Sequence, residues 1–196
     1  MLRTAKEPGV APRTSDADEV RLIKRVAMGD LDAFETLYRS YFPKLARFLD
    51  RMTRQPHLIE EIVNDTMLVV WQKAHTFDAS CKLSTWIFAI GYRKALKAIR
   101  LRDDPVECDF ETCPDESAHE PENEVRRHEL QALCKCALDS LTLEQRTVVC
   151  LTYFHDLGYA EIADIMDCPV NTVKTRMFHA RRRLVTLLAD RLEEMK

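Results

Sequence analysis

The chain has 196 residues, with 29 Lys and Arg against 32 Asp and Glu, a formal net charge of −3, and 46% hydrophobic residues. That length suits one domain or two small ones, and the charge balance excludes a polycation that holds nucleic acid by bulk charge alone. No stretch approaches the roughly 20 consecutive apolar residues of a membrane span, and only four glycines interrupt long 3.6-residue apolar periods, so an all-α fold is expected.

Met1 to Ser15, with Pro8, Gly9 and Pro12, lacks the apolar core of a signal sequence and reads as a loose tail. Seven cysteines, an odd number without a leader, predict free thiols in a reducing cytoplasm rather than a disulfide framework. Asp16 to Met28 is the first amphipathic helix, with Val20, Ile23 and Ala27 inward, ending near Gly29. Asp30 is placed to cap a long second helix carrying Phe34, Leu37, Tyr38, Tyr41, Leu45, Phe48 and Leu49, in which Pro43 removes one backbone donor. Gln55-Pro56 breaks the pattern. A third helix from His57 to about Ala74 stacks Ile59, Ile62, Val63, Met67, Val70 and Trp71 on one stripe, with Glu60, Glu61, Asn64 and Asp65 toward another face. On composition alone that acidic patch is a solvated surface.

After a loop from His75 to Leu83, Ser84 is the candidate cap of a fourth helix running to about Arg100. Trp86, Ile87, Phe88, Ile90 and Tyr92 occupy its first half, and Arg93, Lys94, Lys97 and Arg100 its second. Aromatic rings beside bases suit stacking on unpaired nucleobases with phosphate contacts, although most of these rings are expected in the core. From Asp103 to Val125 there are ten acids, three prolines and no lysine or arginine, a composition that cannot bury enough apolar area to offset its ordering entropy. It reads as an acidic linker. The next helix begins at Pro121 or Asn123, with Val125, Leu130, Leu133 and Leu138 inward, and Leu143 to Phe154 forms another with Val148, Val149 and Leu151.

The C-terminal stretch reads as two helices around a corner. Ile162, Ala163 and Met166 face inward on the first, and Val173, Met177, Ala180, Leu184, Leu187 and Leu188 on the second. Asp167-Cys168-Pro169-Val170 supplies the turn, and Asn171 or Thr172 the cap of the second helix. That helix carries Lys174, Arg176, Arg181, Arg182 and Arg183, with no acid before Asp190. A short helix, a turn and a cationic second helix is the helix-turn-helix plan, which places the second helix in the DNA major groove; the alternative is a core hairpin with a solvated basic face.

Two stretches together resemble one family. LTLEQRTVVCLTYFHDLGYAEIADIMDCPVNTVKTRMFHARRRL, from Leu141, resembles the −35-reading domain of extracytoplasmic-function (ECF) sigma factors, within the sigma-70 family of bacterial RNA polymerase sigma factors. EEIVNDTMLVVWQKAHTFDASCKLSTWIFAIGYRKALKAI resembles that family's domain for core polymerase and the −10 element. Asn171 stands where the family usually has glycine, Thr175 where it has serine, His179 where arginine is frequent and Gly158 where serine is common.

The resemblance implies two small helical domains, at 18–100 and 136–194, after a tail at 1–17 and joined by a linker at 101–135. It implies −35 contacts by Asn171, Thr172, Lys174, Thr175, Arg176, His179, Arg182 and Arg183. Contacts to the melted −10 strand would come from His75, Phe77, Asp78, Ser80, Lys82, Trp86, Arg93, Lys94 and Lys97, with a flipped base held by the loop. Glu60, Glu61, Asn64 and Asp65 would dock core RNA polymerase, which reverses the surface-only reading of that patch. The implied partners are core polymerase, promoter DNA and an anti-sigma factor. No membrane insertion, catalytic residue, metal or cofactor is implied, and the expected compartment is the cytoplasm. Cys108, Cys113, His119, Cys134 and Cys136 match no strong zinc spacing and default to free thiols, with a metal- or redox-sensing linker as the alternative. The competing functional readings are a stand-alone helix-turn-helix regulator and a small helical nucleic-acid enzyme; the latter lacks an acidic metal cluster or a nucleophile pair.

Overall fold

The computed structural model describes residues 16–53, 55–101 and 133–194. The tail before Asp16, Cys108, Cys113, His119 and the helix start expected at Pro121 or Asn123 lie outside the described residues. Among the described residues all regular structure is helical. Four helices form a first unit: α1 (Asp16–Ala27), α2 (Leu31–Thr53), α3 (Pro56–Lys73) and α4 (Leu83–Leu101). A second unit contains α5 (133–139), α6 (Leu143–His155), α7 (Tyr159–Met166) and α8 (Val170–Glu194).

Helix ends follow local chemistry. α1 carries Asp16, Asp18 and Glu19 in its first turn and Lys24 and Arg25 in its last, each complementing the helix dipole. It buries Ile23 and Val26, whereas Ala27 is exposed, because the inward stripe steps by three here and not by four. Gly29, at φ +85°, lets the chain reverse, and Asp30 caps α2 by accepting from the Ala33 amide at 3.0 Å. α2 continues through the exposed Pro43 without a break in the helix. α3 opens on Pro56, where a missing N–H costs nothing.

Two expected caps are corrected. α4 starts at Leu83, with the Lys82 carbonyl accepting from the Trp86 amide at 3.1 Å, so Ser84 lies inside its first turn. α8 starts at Val170, and the Pro169 carbonyl accepts from the Thr172 amide at 2.8 Å, so Asn171 and Thr172 are also inside the helix. A backbone carbonyl one residue earlier closes each first turn. α6 has a full capping box, in which Thr142 Oγ1 accepts from the Gln145 amide and Gln145 Oε1 from the Thr142 amide, both at 3.3 Å.

The first core is α2, α3 and α4 around Leu45, Phe48, Val63, Met67 and Ile87. Gly91 lies where α4 crosses its neighbours: a Cβ there would sit 3.2 Å from Leu45 Cδ2 and 3.7 Å from Thr66 Oγ1. The second core joins Val148 and Leu151 of α6 to Ile162 and Ile165 of α7 and Val173 and Met177 of α8. The two cores are continuous, because α2 packs on α6 and α4 on α7. At that seam the His155 ring lies edge-on between Phe88, at 4.8 Å, and Phe48, at 5.9 Å, and the Arg51 guanidinium stacks 4.0 Å over Phe154.

The α4 crossing has no room for a branched side chain. Gly91→Val should destabilise the full chain by about 1–3 kcal/mol in urea unfolding, the usual cost of overpacking a filled core.

His155 makes the seam acid-sensitive. Burial, with Arg51, Arg47 and Lys44 of α2 adding repulsion, pushes its pKa down to about 4 from 6.5, and its Nε2 has no hydrogen-bond partner. The folded state therefore favours the neutral ring, a contribution fully present above pH 6.5 and lost as pH falls from 6.5 toward 4. Between pH 7 and pH 5 the loss should be on the order of 1–2 kcal/mol after discounting for partial exposure. Thermal melts of the wild type compared with His155→Phe should show that extra acid slope only in the wild type.

Candidate nucleic-acid interface

The helix-turn-helix is α7 and α8. Asp167 takes the left-handed conformation (φ 51°) that ends α7, and the Cys168 amide donates to the Ala163 carbonyl at 3.1 Å. Gly158 removes the side-chain cap of α7, but Glu161 Oε2 still accepts from the Gly158 amide at 2.9 Å and secures the helix start.

On α8, Val173, Met177 and Ala180 are buried, which turns Asn171, Lys174 and Thr175 outward on one exposed face. Thr172 and Arg176 are half-buried. Thr175 Oγ1 donates to the Asn171 carbonyl at 2.9 Å, and Arg176 donates to Cys168 Sγ at 3.5 Å, holding its guanidinium against the turn. His179, Arg182 and Arg183 are exposed, and with Gln145 and Thr186 they line a cleft of about 520 Å³ beside the N-terminus of α6. Two residues missed by sequence reasoning belong to this face. Gln145 joins it through tertiary packing alone. Phe178, 62% exposed, follows Lys174 by one turn; its position out of phase with Val173, Met177 and Ala180 was a readable signal. An exposed ring there can meet a thymine methyl.

The opposite side of this unit is apolar. Leu138, Val149, Tyr153, Phe154, Leu184 and Val185 line a groove of about 380 Å³. Arg181 belongs to its rim rather than to the basic face, donating to Tyr153 Oη at 3.1 Å.

In the first unit, Arg93, Lys94 and Lys97 do converge with Trp86. Together with Val69, Lys73, Thr76 and Ile90 they line a hollow of about 380 Å³ between α3 and α4, whose floor is apolar and whose rim carries four cations. Lys73 was missed, since it ends α3 and meets α4 only in the fold. Phe77 stacks obliquely on Trp86 at 5.5 Å, so the loop and the helix share one aromatic wall. The loop itself is shaped by Asp78, which accepts from the Ser80 amide at 2.9 Å while Ala79 is left-handed at φ 59°. That bond is the main reason the Asp78 carboxyl is held below its ordinary pKa. His75 and Ser80 are exposed. Lys82 is set apart: its Nζ pairs with Glu161 of α7 at 3.0 Å, which raises its pKa.

The acidic group on α3 is less uniform than its sequence. Glu60, Glu61, Asn64 and Asp65 are all exposed, but Asp65 pairs with Lys94 at 3.0 Å and Asn64 accepts from Tyr38 Oη at 2.7 Å. Glu60 and Glu61 are left as the outward carboxylates, with the exposed Leu68 two turns beyond Glu61. Cys134 and Cys136 are exposed free thiols, Cys150 is buried and Cys168 is half-buried. Among the described residues no three acidic, histidine or cysteine side chains are grouped to hold a metal, and no helix is long and apolar enough to cross a membrane.

A helix-turn-helix unit packed beside a helical unit with a cationic, aromatic-walled hollow defines a class of protein suited to binding nucleic acid. Family models agree: Sigma-70 region 2 matches residues 37–104 and Sigma-70, region 4 matches residues 134–184. The chain is 30% identical to the ECF RNA polymerase sigma factor SigW of Bacillus subtilis, over 86% of this chain and 95% of that one. It is 31% identical to the ECF RNA polymerase sigma factor RpoE of Cereibacter sphaeroides, over 79% and 86%. Among solved structures, the sigma factor RpoE in complex with the anti-sigma factor NepR from Bartonella quintana is similar at 26% identity and a TM-score of 0.62, covering 80% of this chain and 96% of that one. CnrH in complex with the cytosolic domain of CnrY shares the fold at 24% identity and a TM-score of 0.66, covering 87% and 97%. The chain belongs to the ECF family of RNA polymerase sigma factors.

Lys97→Ala should weaken binding of a single-stranded oligonucleotide and flatten the slope of log affinity against log salt by about 0.7, as expected for one lost phosphate contact. Fluorescence anisotropy of the full chain across a salt series measures both.

Proposed function

We propose that this ECF sigma factor initiates transcription by three separate contacts, divided between domains at 18–100 and 136–194. Asn171, Thr172, Lys174, Thr175 and Arg176 read base edges of the duplex −35 element, with Phe178 beside them, while His179, Arg182 and Arg183 hold phosphates, which position without specifying. Trp86, Arg93, Lys94 and Lys97 capture the melted −10 strand. His75, Phe77, Asp78, Ser80 and Lys82 form the adjoining loop, where backbone groups can bond an extruded base. Glu60 and Glu61 dock core RNA polymerase, with Asn64 and Asp65 shaping that face through Tyr38 and Lys94. The chain itself makes and breaks no bonds. It works where bacterial polymerase works, in the cytoplasm, and an anti-sigma factor restrains it, as the similarity to a sigma factor solved with NepR supports.

One observation carries this reading: four cations ring the Trp86 wall on one unit while a cationic, outward-facing helix occupies the other. A lone DNA-binding regulator has no use for the first.

Run-off transcription with purified bacterial core polymerase on a promoter library tests it. The full chain should give promoter-dependent initiation. Glu61→Lys should reduce that initiation at least tenfold while leaving affinity for −35 duplex within about twofold, since exposed charges act mainly on the partner they face. Absence of promoter-dependent transcripts, or equal loss of duplex binding, would count against the assignment.

A further inference from the structure

The outward face of α8 is not uniformly polar. Among the large apolar side chains exposed on the second unit, Tyr153, Phe154 and Val185 line the groove on its opposite side. Val170, 37% exposed, and Phe178, 62% exposed, lie instead in one row with Lys174, at four-residue intervals along the helix. Thr175 adds a third apolar group to this face. Its Oγ1 donates to the Asn171 carbonyl at 2.9 Å, which turns the hydroxyl back onto the helix and leaves the methyl group outward. The His179 ring stands edge-on to Phe178 at 5.4 Å and 74°, so the exposed ring is braced by its neighbour rather than by the core. Side chains on a helix lean toward its N-terminus, which sets Phe178 over the turn that carries Lys174 and Thr175. A single exposed ring is ordinary on a protein surface. Three apolar groups on the base-reading face are a different matter, because none of them offers a free side-chain donor to a phosphate or a base edge.

We propose that Phe178 and the Thr175 methyl group make α8 a reader of thymine methyls, with Phe178 the residue that sets the preference. This rests on the duplex −35 reading given above and adds the chemical group that is read. In the major groove thymine alone of the four bases presents a 5-methyl group, so apolar surface there separates T·A from C·G without a hydrogen bond. Phe178 and Thr175 are three residues apart, about 4.5 Å along the helix axis. Base pairs rise by about 3.4 Å, so methyl groups one or two steps apart meet the two side chains. Lys174, beside them, keeps its charge for guanine O6 and N7 or for a phosphate. The contact takes the Phe178 ring out of water, which the free protein does not do. One methyl group buried against it is worth a factor of roughly three to four in affinity.

The test uses holoenzyme assembled from the full chain and purified core polymerase. The promoter it selects most strongly from the library is resynthesised with each thymine of the −35 element, on either strand, replaced singly by deoxyuridine. That change removes the 5-methyl group and leaves O4 in place. Affinities measured by competition should fall about three- to fourfold for the wild type at two positions one or two base steps apart. Phe178→Ala should bind the unsubstituted promoter more weakly by a like factor and become indifferent to uracil at one of those positions. Its slope of log affinity against log salt should match the wild type, since no charge is removed. Thr175→Ser keeps the hydroxyl and its bond to the Asn171 carbonyl, and should become indifferent at the other position. A selected −35 element without thymine, a wild type indifferent to every uracil, or a Phe178→Ala or Thr175→Ser variant that keeps the full response at both positions would each overturn the proposal. If the holoenzyme selects no promoter at all, the −35 reading itself has failed and the proposal falls with it.

Discussion

Helix α4 has to satisfy two incompatible solvents, and the rest of the molecule follows from how it does so. Its inward face, with Ile87, Phe88, Gly91 and Ala95, must approach α2 and α3 closely enough to exclude water. Its outward face must keep Arg93 and Lys97 hydrated and available. Gly91 reconciles the two by removing a side chain at the crossing, so that Leu45 and Thr66 come within contact of the backbone. Close approach there brings Lys73, at the end of α3, to the rim already formed by Lys94 and Lys97. The cationic hollow is thus a by-product of tight packing on its reverse side, and it sets cations beside apolar and ring surface, the combination that suits unpaired nucleobases and phosphates.

The second unit solves a different problem, since α7 has only eight residues and could not persist alone. Its start is fixed by Glu161 bonding back to the Gly158 amide, and its end by left-handed Asp167. Its buried face, Ile162, Ala163, Ile165 and Met166, is shared among α4, α6 and α8. The geometry of the helix-turn-helix therefore depends on packing from outside the motif. A consequence is that Glu161 serves two structures at once, as the cap of a helix and as a bond across the seam.

Much of this was legible in the residues. The stripe Ile62, Val63, Met67 and Val70, and the paired faces Ile162, Ala163, Met166 and Val173, Met177, Ala180, show their 3.6-residue period and are buried. Helix starts were less legible: Ser84 and Asn171 are good capping residues, but a preceding backbone carbonyl had already closed each turn, and local propensity says nothing about which of two neighbours wins. The Ala27 and Val26 exchange is the same one-step ambiguity on a short helix. Site residues on the surface of one helix, such as Lys174, Arg182 and Lys97, could be read from charge. Those assembled between helices, such as Lys73, Gln145 and Glu161, could not, because Glu161 and its partner Thr85 are 76 positions apart. Asp65 and Asn64, read as part of one docking patch, turn out to be bonded to Lys94 and Tyr38, so adjacency in sequence overstated the free negative charge.

The composition of the seam decides how firmly the units are held. Phe48, Phe88 and a neutral His155 make its inner part apolar, which favours closure without directing it. Lys82, Thr85 and Glu161 make its outer part polar, which adds little net energy but specifies which surfaces meet. A wholly apolar seam of this extent would resist opening, and a wholly ionic one would dissolve in salt. With both, the rings hold the seam closed and the charges set which surfaces meet.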